Sequence, residues 1–195
     1  MHGLINRSFQ NFISDVYGSE AWLRVAALAG VSPPEFEAML SYDDVITSDL
    51  LKAMSSVLRR PSGDVMEDIG AYLVSHPNTE AIRRLLRFGG TTFEEFLHSL
   101  DDLPDRARMA VAELCLPAIE LHAHSKGNYS LICDSPMEGF GHFMMGVLRV
   151  MADDYGALAL LDLEERTQGR ETVRIQLVAT DFADGRSFEL GAGAR

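Results

Sequence analysis

The chain has 195 residues, a net charge of −12 and 47% hydrophobic residues, which fits one globular domain with a sizeable core. Because nucleic acids and anionic membranes are bound through clustered basic residues, the acidic balance disfavours both as partners. The nearest basic cluster, Arg83, Arg84 and Arg87, has helical spacing and is predicted to form a solvated helix face.

The two cysteines, Cys115 and Cys133, form no CxxC pair and no zinc-type spacing with histidine. We therefore expect two buried thiols rather than a disulfide or a metal site. The N-terminal stretch lacks the uninterrupted apolar run of a signal peptide, and no stretch approaches the roughly 20 apolar residues of a membrane span. A cytoplasmic location is the resulting expectation.

The first half of the chain has apolar residues at helical spacing, with Gly, Pro and capping residues between the segments. Helices are predicted, in chain order, over residues 2–17, over "EAWLRVAALAG", over a short segment at "SPPEF", from Asp43 or Asp44 to Pro61, and over "SGDVMEDIGAYLVSHP", "NTEAIRRLLRFGG" and "TTFEEFLHSLDDL". This half is therefore predicted to be a helical bundle.

After about residue 113 the pattern changes to alternating strands around one apolar helix. Strands are predicted at "AIELHAHS", "NYSLICDS", "LALLDLEER" and "TVRIQLVATDF", with "KGN" and "TQGR" as turns and a helix at "GFGHFMMGVLRVMADDYG". The prediction is an α+β fold, in which a helical bundle (about 1–112) precedes a ββαββ unit with an antiparallel sheet (about 113–182). Together they form one domain over residues 1–182, and residues 183–195 are expected to be a flexible tail.

Catalysis has little support in the sequence. There is no Gly-rich phosphate loop, nucleophile elbow or paired metal motif, and the acidic pairs Asp101-Asp102 and Asp153-Asp154 are predicted to be solvated helix ends. The chain is therefore predicted not to be an enzyme.

Several segments resemble one family in the family's order. "MHGLIN" at residue 1, followed by "SYDDVIT", "FEEFLHSLDDL" and "LICDSPMEGF", resembles the H-NOX family, the haem–nitric oxide/oxygen binding (HNOB) domains related to the haem domain of soluble guanylate cyclase. The resemblance covers roughly residues 1–182 and implies the H-NOX fold.

In that family, a histidine directly after the "LDDL" stretch binds the haem iron. Here this position is Pro104, which has no donor atom and is expected to end the helix at Leu103. His98 lies six residues earlier, about 120° around the helix and about 9 Å back along its axis, so it is poorly placed to substitute.

Other histidines leave alternatives open. His122 and His124 lie two apart on a predicted strand, so they face the same side as a metal-binding pair or as two solvent-facing residues. His142 lies in the predicted apolar helix, where the alternatives are a helix cap, a partly buried residue and a ligand.

The resemblance also implies a Y-x-S-x-R motif that holds the haem propionates. Its three positions carry Cys133, Ser135 and Met137 here, so only the serine remains, and Arg108 and Lys126 are the candidate substitutes. Other positions that match the family's pocket are Ile5 and Pro117, with a stripe from the apolar helix: Phe140, Phe143, Met144, Val147, Leu148 and Met151.

The resemblance implies a sensory or regulatory signalling domain that detects a gas or haem and acts on a histidine kinase or a cyclic-nucleotide enzyme, as is common in bacteria. The implied cofactor is haem b, but Pro104, Cys133 and Met137 argue against its ordinary ligation. The alternatives are a haem-free protein–protein interaction domain and a binder of another apolar or tetrapyrrole ligand in the same pocket.

Overall fold

The computed structural model describes residues 1–164 and 169–188. Its helices are α1 (Gly3–Tyr17), α2 (Ser19–Leu28), α3 (Asp44–Leu58), α4 (Ser62–Ser75), α5 (Glu80–Arg87), α6 (Phe93–His98), α7 (Leu103–Ala110) and α8 (Phe140–Tyr155). Its strands are β1 (Ala118–Ser125), β2 (Asn128–Asp134), β3 (Leu158–Leu163) and β4 (Arg170–Ala179). Seven α-helices therefore precede the first strand, with a short 3-10 helix (Pro77–Thr79) between α4 and α5, and α8 lies between the two strand pairs.

The four strands form one antiparallel sheet in the order β1-β2-β4-β3. The register places Cys133 of β2 opposite Glu171 of β4. This arrangement confirms the predicted α+β fold and the ββαββ order. Of the predicted turn "TQGR", Thr167 and Gln168 lie outside the described residues, as do residues 189–195 of the predicted tail.

Two apolar cores fill the molecule. The helical cluster lies among α1 to α4, with Phe12, Ile13 and Met54 at its centre. The sheet cluster lies between the inner face of the sheet and helices α6 and α8. Phe143 of α8 packs against both clusters, so α8 is the element that joins the two halves.

Helices α4 and α8 approach each other backbone to backbone. A Cβ at Gly146 would lie 1.9 Å from the carbonyl oxygen of Glu67, and one at Gly70 would lie 2.0 Å from that of Phe143. Only residues without a side chain permit this approach. The two glycines thus fix α8 on the helical bundle.

Adding one methyl group at this contact should be costly. We expect Gly146→Ala to lower the free energy of unfolding by about 1–3 kcal/mol, because the methyl group must separate the two backbones. Urea denaturation measures the loss, with Ser48→Ala on the exposed side of α3 as the control. A Gly146→Ala variant as stable as the control would contradict the close contact.

Two predicted helices differ from the structure. The segment "SPPEF" is not helical; it crosses α1 and α2 as an irregular loop in which the Pro34 carbonyl accepts a hydrogen bond from the Trp22 indole (2.8 Å). The helix predicted over "TTFEEFLHSLDDL" is capped by Thr92 and ends at His98 rather than at Leu103. Beyond it the backbone tightens to i→i−3 hydrogen bonds at Leu100 and Leu103.

The charged residues at the end of α8 also differ from expectation. Asp154 is fully buried and accepts hydrogen bonds from Arg83 Nε (3.0 Å) and Nη2 (2.7 Å). Arg87 Nε lies 3.7 Å from the same carboxylate, whereas Arg84 is exposed and pairs with Glu80. The predicted solvated face is therefore wrong for Arg83 and Arg87, as is the solvated helix end for Asp154. A bidentate guanidinium is what allows this carboxylate to be buried.

The candidate haem site and its filled interior

Pro104 does not end a helix; it lies in the first turn of α7, and the expectation that it stops a helix at Leu103 is wrong. Proline is well tolerated there, because the first N–H groups of a helix have no intrahelical partner. Its half-buried ring offers no atom that could bind iron. The position that the family resemblance assigns to the iron ligand therefore begins a helix here.

His98 lies exposed at the last position of α6. Its ring meets the Tyr129 ring edge-on, with centroids 5.8 Å apart. The Tyr129 hydroxyl in turn donates to Glu94. His98 is therefore a surface residue with an aromatic contact, and it does not point into a core.

His122 and His124 are both exposed on β1, on the side of the sheet away from the sheet cluster. His122 Nε2 lies 2.8 Å from Glu120 Oε1, and His124 Nε2 lies 2.8 Å from Ser130 Oγ. Within residues 1–164 and 169–188, no group of three or more His, Cys, Asp or Glu side chains could hold a metal ion. Each of these two histidines has a local polar partner instead.

His142 is half-buried against α4. A Cβ at Gly63 would lie 2.6 Å from its Nε2, so the imidazole rests directly on the α4 backbone. The histidine in "MHGLIN", His2, caps α1 by accepting a hydrogen bond from Leu4 N at Nδ1 (3.2 Å). Both rings therefore serve helix contacts.

Two of the three propionate-binding positions are buried and the third is half-buried. Cys133 and Ser135 are buried, and Ser135 Oγ accepts a hydrogen bond from Met137 N (3.1 Å). Met137 packs against the helical cluster. Arg108 is exposed and pairs with Asp105, and Lys126 lies exposed in the turn at the other end of β2. Neither candidate substitute lies in this segment.

The main charge in this region is a carboxylate that the sequence reasoning missed. Glu171 is buried, and its two oxygens accept hydrogen bonds from Gly139 N (3.0 Å) and Gly141 N (2.7 Å) at the start of α8. Among the described residues, no lysine or arginine lies within ion-pair distance of it. Donors at a helix start stabilise one negative charge, and a second carboxylate placed beside it would be repelled.

A signal for Glu171 was present in the sequence. In "RETVRIQLVA" it shares the period-two face with Val173 and Ile175, and both of these are buried in the sheet cluster. A charged residue on the apolar face of a strand predicts a buried charge with a specific partner.

Burial and the Glu171 charge together raise the pKa of the Cys133 thiol to about 12. Cys115 is exposed, so the expectation of two buried thiols is wrong for it. A raised thiol pKa keeps the neutral form up to high pH. The contribution of Cys133 to stability is therefore lost as the pH rises above the ordinary thiol value of 9.0 towards 12, because only the unfolded thiol ionises in that range.

This difference predicts selective labelling. At pH 8, iodoacetamide should modify Cys115 and leave Cys133 unreacted until urea unfolds the chain. Mass spectrometry of the two cysteine-containing peptides gives the extent of each reaction. Comparable labelling of both thiols in the native protein would contradict the buried position of Cys133.

The apolar stripe expected to line a pocket is packed into the core. Met144 is 1% exposed and Leu148 and Met151 are 0% exposed, with Phe140 and Val147 buried beside them in the sheet cluster. Such exposures leave no water-sized space at these three side chains.

The remaining pocket positions fit the same description. Phe143 is half-buried and stacks on Phe140 with ring centroids 5.5 Å apart. Ile5 is half-buried and packs against the helical cluster, and Pro117 is half-buried before β1.

Two open pockets lie elsewhere on the surface. One of about 400 Å³ is on the sheet, between His124 and Arg174, and one of about 180 Å³ is beside Arg83 and Arg186. A tetrapyrrole needs an iron ligand, a cation for its carboxylates and a flat apolar space. The described residues provide a proline, a buried carboxylate and a packed core instead, and so they do not fit haem b bound in the ordinary way.

Comparison with known proteins identifies the family to which these pocket positions belong. The family model for haem-NO-binding domains matches residues 2–159. The chain belongs to the H-NOX family. H-NOX domains are sensor domains rather than catalytic ones, so the prediction of a non-catalytic domain is confirmed by this membership.

Curated relatives of this H-NOX chain are guanylate cyclases. Soluble guanylate cyclase gcy-31 of Caenorhabditis elegans is 26% identical over 168 residues, which cover 84% of this chain and 24% of the relative. Soluble guanylate cyclase 89Db of Drosophila melanogaster is 22% identical over 158 residues, covering 81% of this chain and 24% of the relative. The chain thus spans about a quarter of the length of these relatives.

Solved H-NOX structures share the fold at low identity. The Fe(II) unliganded H-NOX protein from K. algicida superposes with a TM-score of 0.79 at 16% identity, covering 97% of this chain and 100% of that one. An Fe(II) H-NOX mutant from S. oneidensis gives 0.78 at 17% identity, with 92% and 97% covered. The H-NOX fold is therefore confirmed. In addition, no helix in the part of the chain that the structure describes is long and apolar enough to cross a membrane.

Proposed function

We propose that this chain is a regulatory H-NOX domain that signals without an iron–histidine link. The observation that carries the proposal is the start of α7 at Pro104, where the resemblance places the iron ligand. Membership of a family of gas and haem sensors in signalling supports the regulatory role.

The filled interior supports the haem-free form of this role. All side chains of the α8 stripe except the half-buried Phe143 are buried, and Glu171 places a buried negative charge beside the propionate positions, where a cation would be needed. In this proposal the space and the anchors of the cofactor have been replaced by core packing.

The proposed partner is a separate signalling protein, either a histidine kinase or a cyclic-nucleotide enzyme. The soluble guanylate cyclase names of the relatives support the second class. Such partners work in the cytoplasm, which is where we place this chain. Nitric oxide sensing through haem is not part of the proposal.

The proposal is tested by regulation in the absence of haem. The chain is prepared without haem precursor and added to purified candidate kinases and cyclic-nucleotide enzymes of the source organism. We expect binding, and a changed rate of autophosphorylation or cyclisation, from the haem-free chain. An effect that arises only after haemin is added would contradict the proposal.

A further inference from the structure

Residues 181–188 cross the end of α8 as a strap, a name kept for this segment below. Phe182 N and Ala183 N both donate to the Gly156 carbonyl (2.8 and 3.1 Å), and Arg186 N donates to the Asp154 carbonyl (3.0 Å). The approach is close, since a Cβ at Gly156 would lie 2.1 Å from the carbonyl oxygen of Ala183. The strap is therefore fastened to the last turn of α8 and the residue after it.

Charges reinforce this attachment from the side of α5. The buried Asp154 carboxylate receives Arg83 in a bidentate pair, and Arg186 of the strap lies 3.8 Å from it. Arg83 Nη2 also lies 3.5 Å from the carbonyl oxygen of Ser187. One carboxylate thus joins α8, α5 and the strap.

An aromatic contact completes the attachment. The guanidinium of Arg87 lies 3.8 Å from the ring centre of Tyr155 and 5.1 Å from that of Phe188, a cation between two rings. The ring of Tyr155 also meets that of Phe96 on α6 (5.8 Å). The strap is therefore in contact with a side-chain network that reaches α5, α6 and α8.

The strap has few other attachments. Residues 181–187 are exposed, and Phe188 is half-buried. Segments with little buried apolar area open at a small cost compared with global unfolding. Because its main attachments are to Asp154 and Gly156, the strap should open when these two residues move away from it.

We propose that the strap is an output latch whose opening reports the position of α8 on the helical bundle. Helix α8 joins the two cores, and its packing on α4 lies about two to three turns before Asp154. Because a helix moves as a rigid rod, a shift of α8 against α4 displaces both anchors of the strap. The use of the latch as an output to a partner rests on the proposed function, whereas the coupling of strap opening to α8 does not.

Hydrogen–deuterium exchange of the full chain tests the latch. Arg186→Gln and Phe188→Ala change only the strap side, and Arg170→Gln, in an exposed pair with Asp134, is the control. We expect the amides of Phe182, Ala183 and Arg186 to be protected in the parent chain. Each strap variant should speed their exchange by about fivefold to tenfold and leave the α8 amides unchanged.

Coupling to α8 is tested at its contact with α4, in the middle of the helix. Arg149→Ala breaks an ion pair with Glu67 of α4 (2.8 Å), and Gly146→Ala separates the backbones. Faster exchange in the strap than in the sheet core would support the latch, and Arg149→Ala keeps the test informative if Gly146→Ala does not fold.

Three results would overturn the latch: unprotected strap amides in the parent chain, strap variants that leave their exchange unchanged, or α8 variants that speed the strap and the core equally. If no candidate partner binds the chain or changes its rate in its presence, the proposed function is refuted, but the exchange results on the strap remain valid.

Discussion

Replacing Asp154 by alanine is expected to lower the free energy of unfolding by about 3–5 kcal/mol, because the guanidinium of Arg83 would remain buried without its counter-charge. The pair is bidentate, and the Asp154 side chain is 0% exposed. Urea denaturation of the haem-free chain measures the loss.

The matched control is Asp134→Ala. Asp134 pairs with Arg170 at 3.1 Å, but both side chains are more than half exposed, so the cost should stay below about 1 kcal/mol. A double variant, Arg83→Met with Asp154→Leu, should recover most of the lost stability, since it removes both charges. Equal losses for Asp154→Ala and Asp134→Ala would contradict a buried charge pair.

Replacing Leu148 by alanine is expected to cost about 2–5 kcal/mol, because the truncation leaves a cavity in a close-packed core. Leu148 is 0% exposed and belongs to the sheet cluster. The same substitution at the wall of an open ligand pocket would cost far less, since the leucine there would lose few packing contacts. Thermal and urea unfolding of the haem-free chain therefore report whether the interior is filled.

The matched control is Leu160→Ala, which removes the same atoms from a side chain that is 57% exposed on the sheet. It should change the stability by less than about 1 kcal/mol. Similar small losses at both leucines would indicate that the interior beside α8 is not packed.

Most of the fold was predictable because the periodic patterns are strong. The change from helical spacing to alternation near residue 113 indicated the α+β order, and the "KGN" turn indicated the boundary between the first two strands. These features are local in the sequence, and the structure confirms them.

The structure differs from the sequence predictions where contacts between residues far apart in the chain determine the conformation or the burial. A proline can either end a helix or lie in its first turn, and residue type alone does not decide between the two roles. In the structure Pro104 lies in the first turn of α7, after the buried Leu100 and Leu103. Arg83 and Asp154 each have the pattern of a surface residue, and their burial depends on a contact between α5 and α8. The sequence does not indicate such long-range pairs.

The candidate site was only partly open to prediction. The absence of a ligand at Pro104 and of a cation at Met137 follows from residue types alone. The structure adds that the stripe on α8 is filled by its neighbours and that Glu171 supplies a negative charge beside Cys133. Two separate observations thus support the proposal of a haem-free domain. The ligand and propionate positions lack the required residue types, and the α8 stripe is packed into the core.

The measurement that tests this account most directly is the visible spectrum of the purified chain, expressed with a haem precursor and then titrated with haemin. We expect no saturable Soret band, because the residues at the ligand and propionate positions do not fit haem and the interior is packed. A sharp Soret band that saturates at one haem per chain would contradict the account. The ligand would then be sought by replacing His98, His122, His124 and His142 in turn.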